Sequence, residues 1–255
     1  MNYIFGLLET QTGAVATDFE DVPAEMGALA LVAAGPATLI CGHGASHQIR
    51  AKRRNLLAHA RVLETAARFG TVLPMRFGMT AECIESVSDR LRLQEHAVSG
   101  EFDRLSGQVE FGVRAAFPKQ AVLAAMLSEE PALLHERDRL KARSTPDRMQ
   151  TAEFGRRIAE RLERRRWDAQ HNMLSRLATV WRDHTVRVPD EDVQVLAADV
   201  LAPAADHDAM AAEIEAAAAA SGFAPDAEPS VRIVGPMPPY SFVRLSLGMA
   251  DEAAA

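Results

Sequence analysis

Apolar positions along the chain switch repeatedly between the two-residue spacing of a strand and the three-to-four spacing of a helix. Asn2 to Leu8 (N-Y-I-F-G-L-L) is β-branched and aromatic enough to predict a strand, with Gly6 marking a bulge or a close backbone approach. The polar, acidic stretch from Glu9 to Pro23 predicts a loop. Ala28 to Ala34 and Ala37 to Cys41 are two apolar runs split by Gly35-Pro36, which predicts a hairpin. Ser46 is a candidate N-cap for a helix whose apolar stripe is Ile49, Leu56, Ala60, Leu63 and Ala67, with Gly70 as its left-handed stop. Thr71 to Phe77 predicts a strand, and Pro74, with no amide donor, puts it at an edge or at a bend. A helix is expected from about Thr80 to Val98, loosened at Ser99-Gly100. Gln108 to Phe117 alternates as a half-buried strand should.

After Pro118 the pattern becomes helical. Pro118 to Leu127 and Pro131 to Arg143 are short helices. Thr145-Pro146-Asp147 combines a capping hydroxyl, a proline for the first turn and an acid for the positive end of the dipole. It opens a helix expected to reach about His184, with Phe154, Ile158, Leu162, Ala169, Met173, Leu177 and Trp181 as its apolar stripe. Val193 to Leu201 reads as a strand interrupted by Asp199. Asp206 is placed to cap a following helix with Met210 and Ile214 on its narrow apolar edge, an alanine run with little to bury, and Gly222 as its stop. Ser230 to Val234 and Ser241 to Leu247 read as final strands joined by a proline-rich linker, and the tail from Met249 is expected to be mobile. Strands and helices mixed in this order predict an α+β fold with helices against a largely antiparallel sheet.

Composition changes this picture little. Of the 255 residues 48% are hydrophobic and 5% aromatic, so the core is expected to be built from Ala, Leu and Val. A net charge of -7 argues against nucleic acid as the main partner, since phosphate binding needs a clustered positive surface. Two cysteines, Cys41 and Cys83, make no disulfide framework and suit a reducing cytoplasm. Met1 is followed at once by the first strand, so no signal peptide is expected. No apolar run reaches the roughly twenty residues of a membrane span.

Candidate chemistry is thin. Cys41, His43 and His47, with His59 and Cys83 elsewhere, are zinc-type residues, but C-x-H-x-x-x-H matches no common closed site. Gly42-His-Gly44 lies where a dinucleotide-binding turn would lie, yet the third glycine and the βαβ pattern are missing, so a plain tight turn is the simpler reading. His59 falls on a helix stripe, where a core histidine with satisfied nitrogens is commoner than a catalytic base. Arg50, Lys52, Arg53 and Arg54 form one basic cluster, and Arg156, Arg157, Arg161, Arg164, Arg165 and Arg166 another. Both read as solvated helix faces paired with acids such as Glu160 and Glu163, with an acidic protein partner as the functional alternative. Phe5, Phe77, Phe111 and Phe117 lie on strands and are most simply core.

Four separated segments carry more information. They are Tyr3-Ile-Phe-Gly6; His59-x-x-Val-Leu-Glu64 with Val72-Leu-Pro-Met-Arg-Phe-Gly78; Val109-Glu-Phe-Gly-Val-Arg114; and Gly235-Pro-Met-Pro-Pro-Tyr-Ser-Phe-Val243. In this order they resemble the gas vesicle protein F/L family (GvpF/GvpL), with Phe111 and Met237 standing where the family usually has tryptophan. The resemblance implies a two-domain α+β protein. Residues 1–118 would form an N-terminal α/β sandwich, and residues 119–255 a modified ferredoxin-like sheet with a long helix. It also implies a minor, non-enzymatic component of the gas vesicle, with no cofactor and no metal, that contacts the small hydrophobic shell protein and other accessory proteins and helps start assembly. Leu73, Pro74, Arg76 and Phe77 are the candidate partner-binding residues. The competing expectation is a nucleotide- or metal-binding enzyme built on the Gly42–Gly44 turn and the nearby histidines.

Overall fold

The computed structural model describes residues 1–10, 12–143 and 147–246, apart from the side chain of Asp206. The strands are β1 (Asn2–Glu9), β2 (Ala28–Ala34), β3 (Ala37–His43), β4 (Val72–Pro74), β5 (Thr80–Ala81), β6 (Gln108–Ala116), β7 (Asp183–Val186), β8 (Gln194–Pro203) and β9 (Ser230–Met237). The helices are α1 (Arg53–Ala66), α2 (Ile84–Leu93), α3 (Glu95–Leu105), α4 (Lys119–Glu129), α5 (Pro131–Lys141), α6 (Arg148–Arg176) and α7 (His207–Ala219). The chain forms two compact units, Met1–Glu110 with the chain from Pro236 onward, and Phe111–Gly235. The expected domains divide at 118/119. The compact units instead place most of β6 in the second unit, because β6 lies inside that unit's sheet, and return the segment after β9 to the first.

The first unit is built on a sheet in the order β2-β3-β1-β4, with β5 also pairing β1. Ala34 pairs Ala37 across Gly35-Pro36, so the expected hairpin forms, and Gly35 supplies the positive φ of 65° that a two-residue loop requires. The ladder between β1 and β3 shifts register between Ile4 and Gly6, a bulge at the expected glycine. A Cβ at Gly6 would lie 2.7 Å from Leu63 Cδ2 and 2.8 Å from the Leu73 carbonyl oxygen, so this position admits only glycine between α1 and β4. α1 packs Val62, Leu63 and Ala66 against Tyr3, Phe5, Leu8 and Ile40. Leu39 and Cys41 alternate to the opposite face and are also fully buried. Pro74 ends β4, an edge strand of this sheet, as its missing amide requires.

Several local expectations are corrected here. α1 starts at Arg53 and not at Ser46, because the Ser46 amide donates to the Glu25 carbonyl at 2.9 Å and residues 46–52 stay irregular. Its buried stripe is Asn55, His59, Val62, Leu63 and Ala66, while Leu56 and Leu57 are 43% and 45% exposed. The helix ends at Ala66 through successive turns, and Gly70 has no positive φ. The expected helix from Thr80 is a short strand followed by two helices that meet at Gln94, whose ψ of 22° breaks the run, and Gly100 sits inside α3.

The second unit carries a sheet in the order β7-β8-β6-β9. α6 is 29 residues long, about 43 Å at the helical rise. Asp147 is its N-cap, accepting from the Met149 and Gln150 amides at 3.0 and 3.2 Å, while Thr145 and Pro146 lie outside the described residues. α6 stops at Arg176, short of the expected His184, since residues 183–186 pair with β8. Leu162, Ala169, Met173, Leu177 and Trp181 are buried as the stripe predicts, and Phe154 and Ile158 are half-buried. β8 runs unbroken through Asp199. That carboxylate is almost fully buried and meets the Arg187 guanidinium at 2.5 Å, and a buried charge persists only when paired in this way. Ala217 and Ala218 of α7 are buried, against the expectation that the alanine run has little to cover. β9 continues through Pro236, which an edge strand tolerates. Ser241–Arg244 is not a strand, and Leu247 and the tail lie outside the described residues.

Two glycines test this packing. Gly42→Ala is expected to lower the unfolding free energy by about 2–3 kcal/mol, because its Cβ would fall 1.9 Å from the Met26 carbonyl oxygen. Gly100→Ala, in open space inside α3, is expected to raise it by about 0.5–1 kcal/mol. Urea titration of the two variants beside the parent protein reads both signs.

Candidate functional site

Within the first unit one polar pair is buried among aromatic rings. Tyr3 on β1 places its hydroxyl 2.9 Å from His59 Nδ1 on α1. The same oxygen accepts the Gly78 amide at 3.1 Å, and His59 Nε2 lies 3.1 Å from the Met75 carbonyl. A carbonyl only accepts, so Nε2 carries the proton and Nδ1 takes the Tyr3 hydroxyl proton. The result is a relay from the Gly78 N–H through Tyr3 and His59 to the Met75 carbonyl, with every member satisfied. It fastens both ends of residues 75–78 to β1 and α1.

Aromatic rings close around the relay. Phe5 stacks on His59 at 5.6 Å, Phe77 meets both Tyr3 and His59 edge-on, and Tyr240 tilts against His59 at 6.3 Å. Burial disfavours the imidazolium and pulls His59 down to about 4, opposed by its bond to the Met75 carbonyl. Burial likewise holds the Tyr3 hydroxyl protonated far above its ordinary range, against the pull of the Gly78 amide. His59 is therefore a neutral fastener near pH 7.

Two buried carboxylates hold the segment after β9. Glu110 accepts the Ser241 amide at 2.7 Å and the Ser241 hydroxyl at 2.8 Å. Glu101 accepts the Arg244 amide at 2.6 Å and pairs with Arg104, which also donates to the Phe242 carbonyl. Burial pushes the Glu101 carboxyl up, but the bonds from Arg104 and the Arg244 amide outweigh it and hold it below the usual range. These side-chain acceptors hold residues 241–244, a segment that forms no strand.

The four partner-binding candidates separate in the structure. Leu73 is fully buried and Pro74 is buried against β1, so neither presents a side chain to a partner. Arg76 is exposed and Phe77 half-buried, side by side on the fastened loop. Of the strand phenylalanines, Phe5, Phe111 and Phe117 are core.

The other sequence candidates do not assemble into a site. Cys41 is buried, its thiol pushed up to about 11 by desolvation and directed at the Ala30 carbonyl. His43 Nδ1 bonds the Asn2 side-chain carbonyl, His47 is exposed, and Cys83 donates to Glu85. Among the described residues no group of three or more His, Cys, Asp or Glu is placed to hold a metal ion. Gly42 lies inside β3 with the Met26 backbone against its Cα, and the helix begins at Arg53, so the Gly42–Gly44 turn offers no phosphate cradle at a helix N-terminus. The arginines of α6 are engaged largely with acids. Arg156 pairs with Glu153 and Glu160, Arg157 with Glu136, Arg161 with Glu130, and Arg165 with Glu129 and the Gly222 and Phe223 carbonyls. Arg157, Arg161 and Arg165 tie α6 to α4, α5 and the turn after α7, while the Arg156 pairs stay within α6. Arg54 is likewise paired with Glu25.

Comparison with known proteins settles the family. The model of the family described as gas vesicle synthesis protein GvpL/GvpF matches residues 1–244. The chain belongs to the GvpL/GvpF family. It is 34% identical over 123 residues to gas vesicle protein F of a Streptomyces species, covering 48% of this chain and 51% of that one. It is 36% identical over 107 residues to gas vesicle protein F of Microcystis aeruginosa, covering 40% and 44%. These matches span about half the length of those curated relatives. The fold is similar to the crystal structure of GvpF from Anabaena, with a TM-score of 0.75 at 20% identity over 96% of this chain and 98% of that one. It is also similar to that of GvpF from Microcystis aeruginosa, with a TM-score of 0.69 at 23% identity over 96% and 99%.

The segments that carry the GvpL/GvpF resemblance converge on the relay. Tyr3 and Phe5 come from the first, His59, Met75, Phe77 and Gly78 from the second, and Glu110 from the third. Tyr240 and Ser241 come from the last. Sequence reading placed Tyr3, Phe5, His59 and Glu110 on their elements, but it put Met75 and Phe77 on a strand that ends at Pro74 and Ser241 on a strand that does not form, and it linked none of them. Tyr3 and His59 are 56 positions apart, and nothing local marks them as partners. Glu101 and Glu110 were missed because acids on a helix and on a strand read as solvated.

The relay makes stability depend on pH. The unfolded chain protonates His59 near pH 6.5 and the folded chain only near 4, so the unfolded state binds more protons between these values. The stability His59 contributes is whole above pH 6.5 and falls as pH drops toward 4, by on the order of 3 kcal/mol in total. Urea midpoints measured between pH 7 and pH 5, above most carboxylate titration, are expected to fall in the parent and to flatten in His59→Gln. An equal slope in both proteins would count against a buried neutral imidazole.

Proposed function

We propose that this protein is a non-enzymatic assembly factor of the gas vesicle, which binds the small hydrophobic shell protein and keeps it from aggregating until it joins the growing wall. A small protein rich in apolar strand surface associates through any free edge, and a partner that covers that surface holds it in solution. The observation that carries this reading is the fastened loop at residues 75–78. Arg76 and Phe77 present a cation and half an aromatic ring on backbone already fixed by Tyr3 and His59. Such a loop loses little entropy on binding, and an aromatic beside an arginine is the composition of an interface anchor. Leu73 and Pro74 support the loop from beneath. Family membership supports association with gas vesicle components, and the fully satisfied bonds of His59 and Tyr3 suit a structural role. On this reading the partners are the shell protein and other accessory proteins, the setting is the cytoplasm and the vesicle, and no cofactor is needed.

Co-expression of the shell protein with a tagged copy of this chain tests the proposal. The intact chain is expected to retain soluble shell protein, and Phe77→Ala or Arg76→Glu to reduce the amount retained by about ten-fold with the fold preserved. Failure of the intact chain to retain any shell protein would overturn the reading. Retention unchanged in both variants would move the contact away from this loop.

A further inference from the structure

The sheet edges of the two units are not alike. β4 is three residues long and ends in Pro74, and β5 is two. β7 is four residues and begins with Asp183, and β9 carries Arg232, Gly235 and Pro236. Shortness, charge and proline are among the devices that keep an edge from pairing with another chain, beside cover by a helix or loop. β2 is not short, carries no charge and contains no proline. It is seven residues, A-L-A-L-V-A-A, at the end of the order β2-β3-β1-β4, and among the described residues no strand pairs with its outer side. α2 and the turn at Ala16–Asp18 pack against β2, yet Ala28 and Ala33 remain exposed and residues 29–32 partly exposed.

The register fixes which backbone groups face outward. Ala34 and Ala37 close the two-residue hairpin, so the alternate residues Ala28, Ala30, Val32 and Ala34 bond β3. Leu29, Leu31 and Ala33 therefore turn their N–H and C=O groups away from the sheet, while the side chains of Leu29 and Leu31 pack on the core beneath. These outward groups are centred on Leu31.

We propose that β2 is a self-association edge, and that a second copy of this chain adds its own β2 antiparallel across a two-fold axis through Leu31. In that register Leu31 faces Leu31 of the second copy, and Leu29 faces Ala33 in both directions. Each is a pair that exchanges both of its hydrogen bonds, so every outward donor and acceptor finds a partner. Side by side on the two faces stand Leu31 with Leu31, Leu29 with Ala33, and Ala30 with Val32. The strand carries no charge, so the two-fold axis brings no like charges together. The self-complementary register about Leu31 and the lack of charge on β2 are what fit this edge to a second copy, since an isologous contact requires one patch to complement itself.

Light scattering behind size exclusion, at about 100 µM of the intact chain, tests this. The intact chain is expected at twice the monomer mass. Ala33→Pro removes one outward amide at an edge position and is expected at the monomer mass with unchanged far-ultraviolet circular dichroism. Ala33→Lys provides the same reading if the proline variant does not fold. In a Cys83→Ser background, Leu31→Cys is expected to give a disulfide-linked dimer on mild oxidation. A monomeric intact chain, or a dimer that persists in a folded Ala33 variant, would overturn the proposal. So would an intact chain that pairs its β2 only with a strand of a different protein.

Discussion

A phenol and an imidazole inside an aromatic core set the terms for the first unit. Either group left unpaired there would forfeit its hydration, a loss on the order of 1–3 kcal/mol per group. Neither is left so, because Tyr3 accepts from Gly78 and donates to His59, and His59 donates to Met75. The arrangement works only if β1, α1 and the loop after β4 stand in one relative position, and that is the sense in which the fold depends on it. Apolar packing alone tolerates sliding and repacking, whereas a relay of directional bonds does not. The same bonds determine what His59 does. A general base needs a free nitrogen and a reachable proton, and both nitrogens of this ring are engaged.

The carboxylates Glu101 and Glu110 repeat the logic with charge. Each is nearly buried, and each accepts backbone amides from residues 241–244. An ionised buried carboxylate is costly unless its lone pairs are used. Here they are used by the amides of Ser241 and Arg244, in a segment that joins no sheet. Within the first unit, the chain beyond β9 is thereby fixed by side chains and not by a ladder. Arg187 and Asp199 solve the same problem on β8, where a charge in a buried strand is paired with a guanidinium. These charged contacts stand where backbone regularity stops or where a strand carries a residue of the wrong polarity.

The legible part of the fold follows from this. Strands β1, β3, β6 and the β2–β3 turn could be read because period-two alternation and Gly35-Pro36 are local signals. The α6 stripe from Leu162 to Trp181 could be read because it is long and periodic. Helix ends were misplaced where tertiary bonds decide them: Ser46 looks like a cap, but its amide is taken by Glu25, whose carbonyl is 21 positions away in sequence. The α1 stripe came out rotated because Asn55 and His59, polar residues, are buried, while Leu56 and Leu57 are not. Asp199 was read as a break for the same reason, since its partner Arg187 is invisible to local pattern. In the candidate site, Phe77 and Arg76 could be located from the sequence, but not the relay beneath them. The relay is a relation among elements far apart in the chain, and composition carries no trace of it.

β2 shows where local preference and final structure disagree. Alanine and leucine favour helix, and alanine is depleted in strands. A-L-A-L-V-A-A is therefore held extended by what surrounds it, the tight turn at Gly35-Pro36 and the ladder to β3, and not by its own propensity. Natural sequences keep such conflicts few, and they concentrate where function requires them. Valine or isoleucine at these positions would favour the strand locally, and a charge directly opposite its own copy would be unfavourable. A strand of alanine and leucine with one valine gives up intrinsic preference and places no charge on its edge. An edge with neither charge nor proline on it can be extended by another strand, and each added ladder would help hold extended a segment whose own preference is weak.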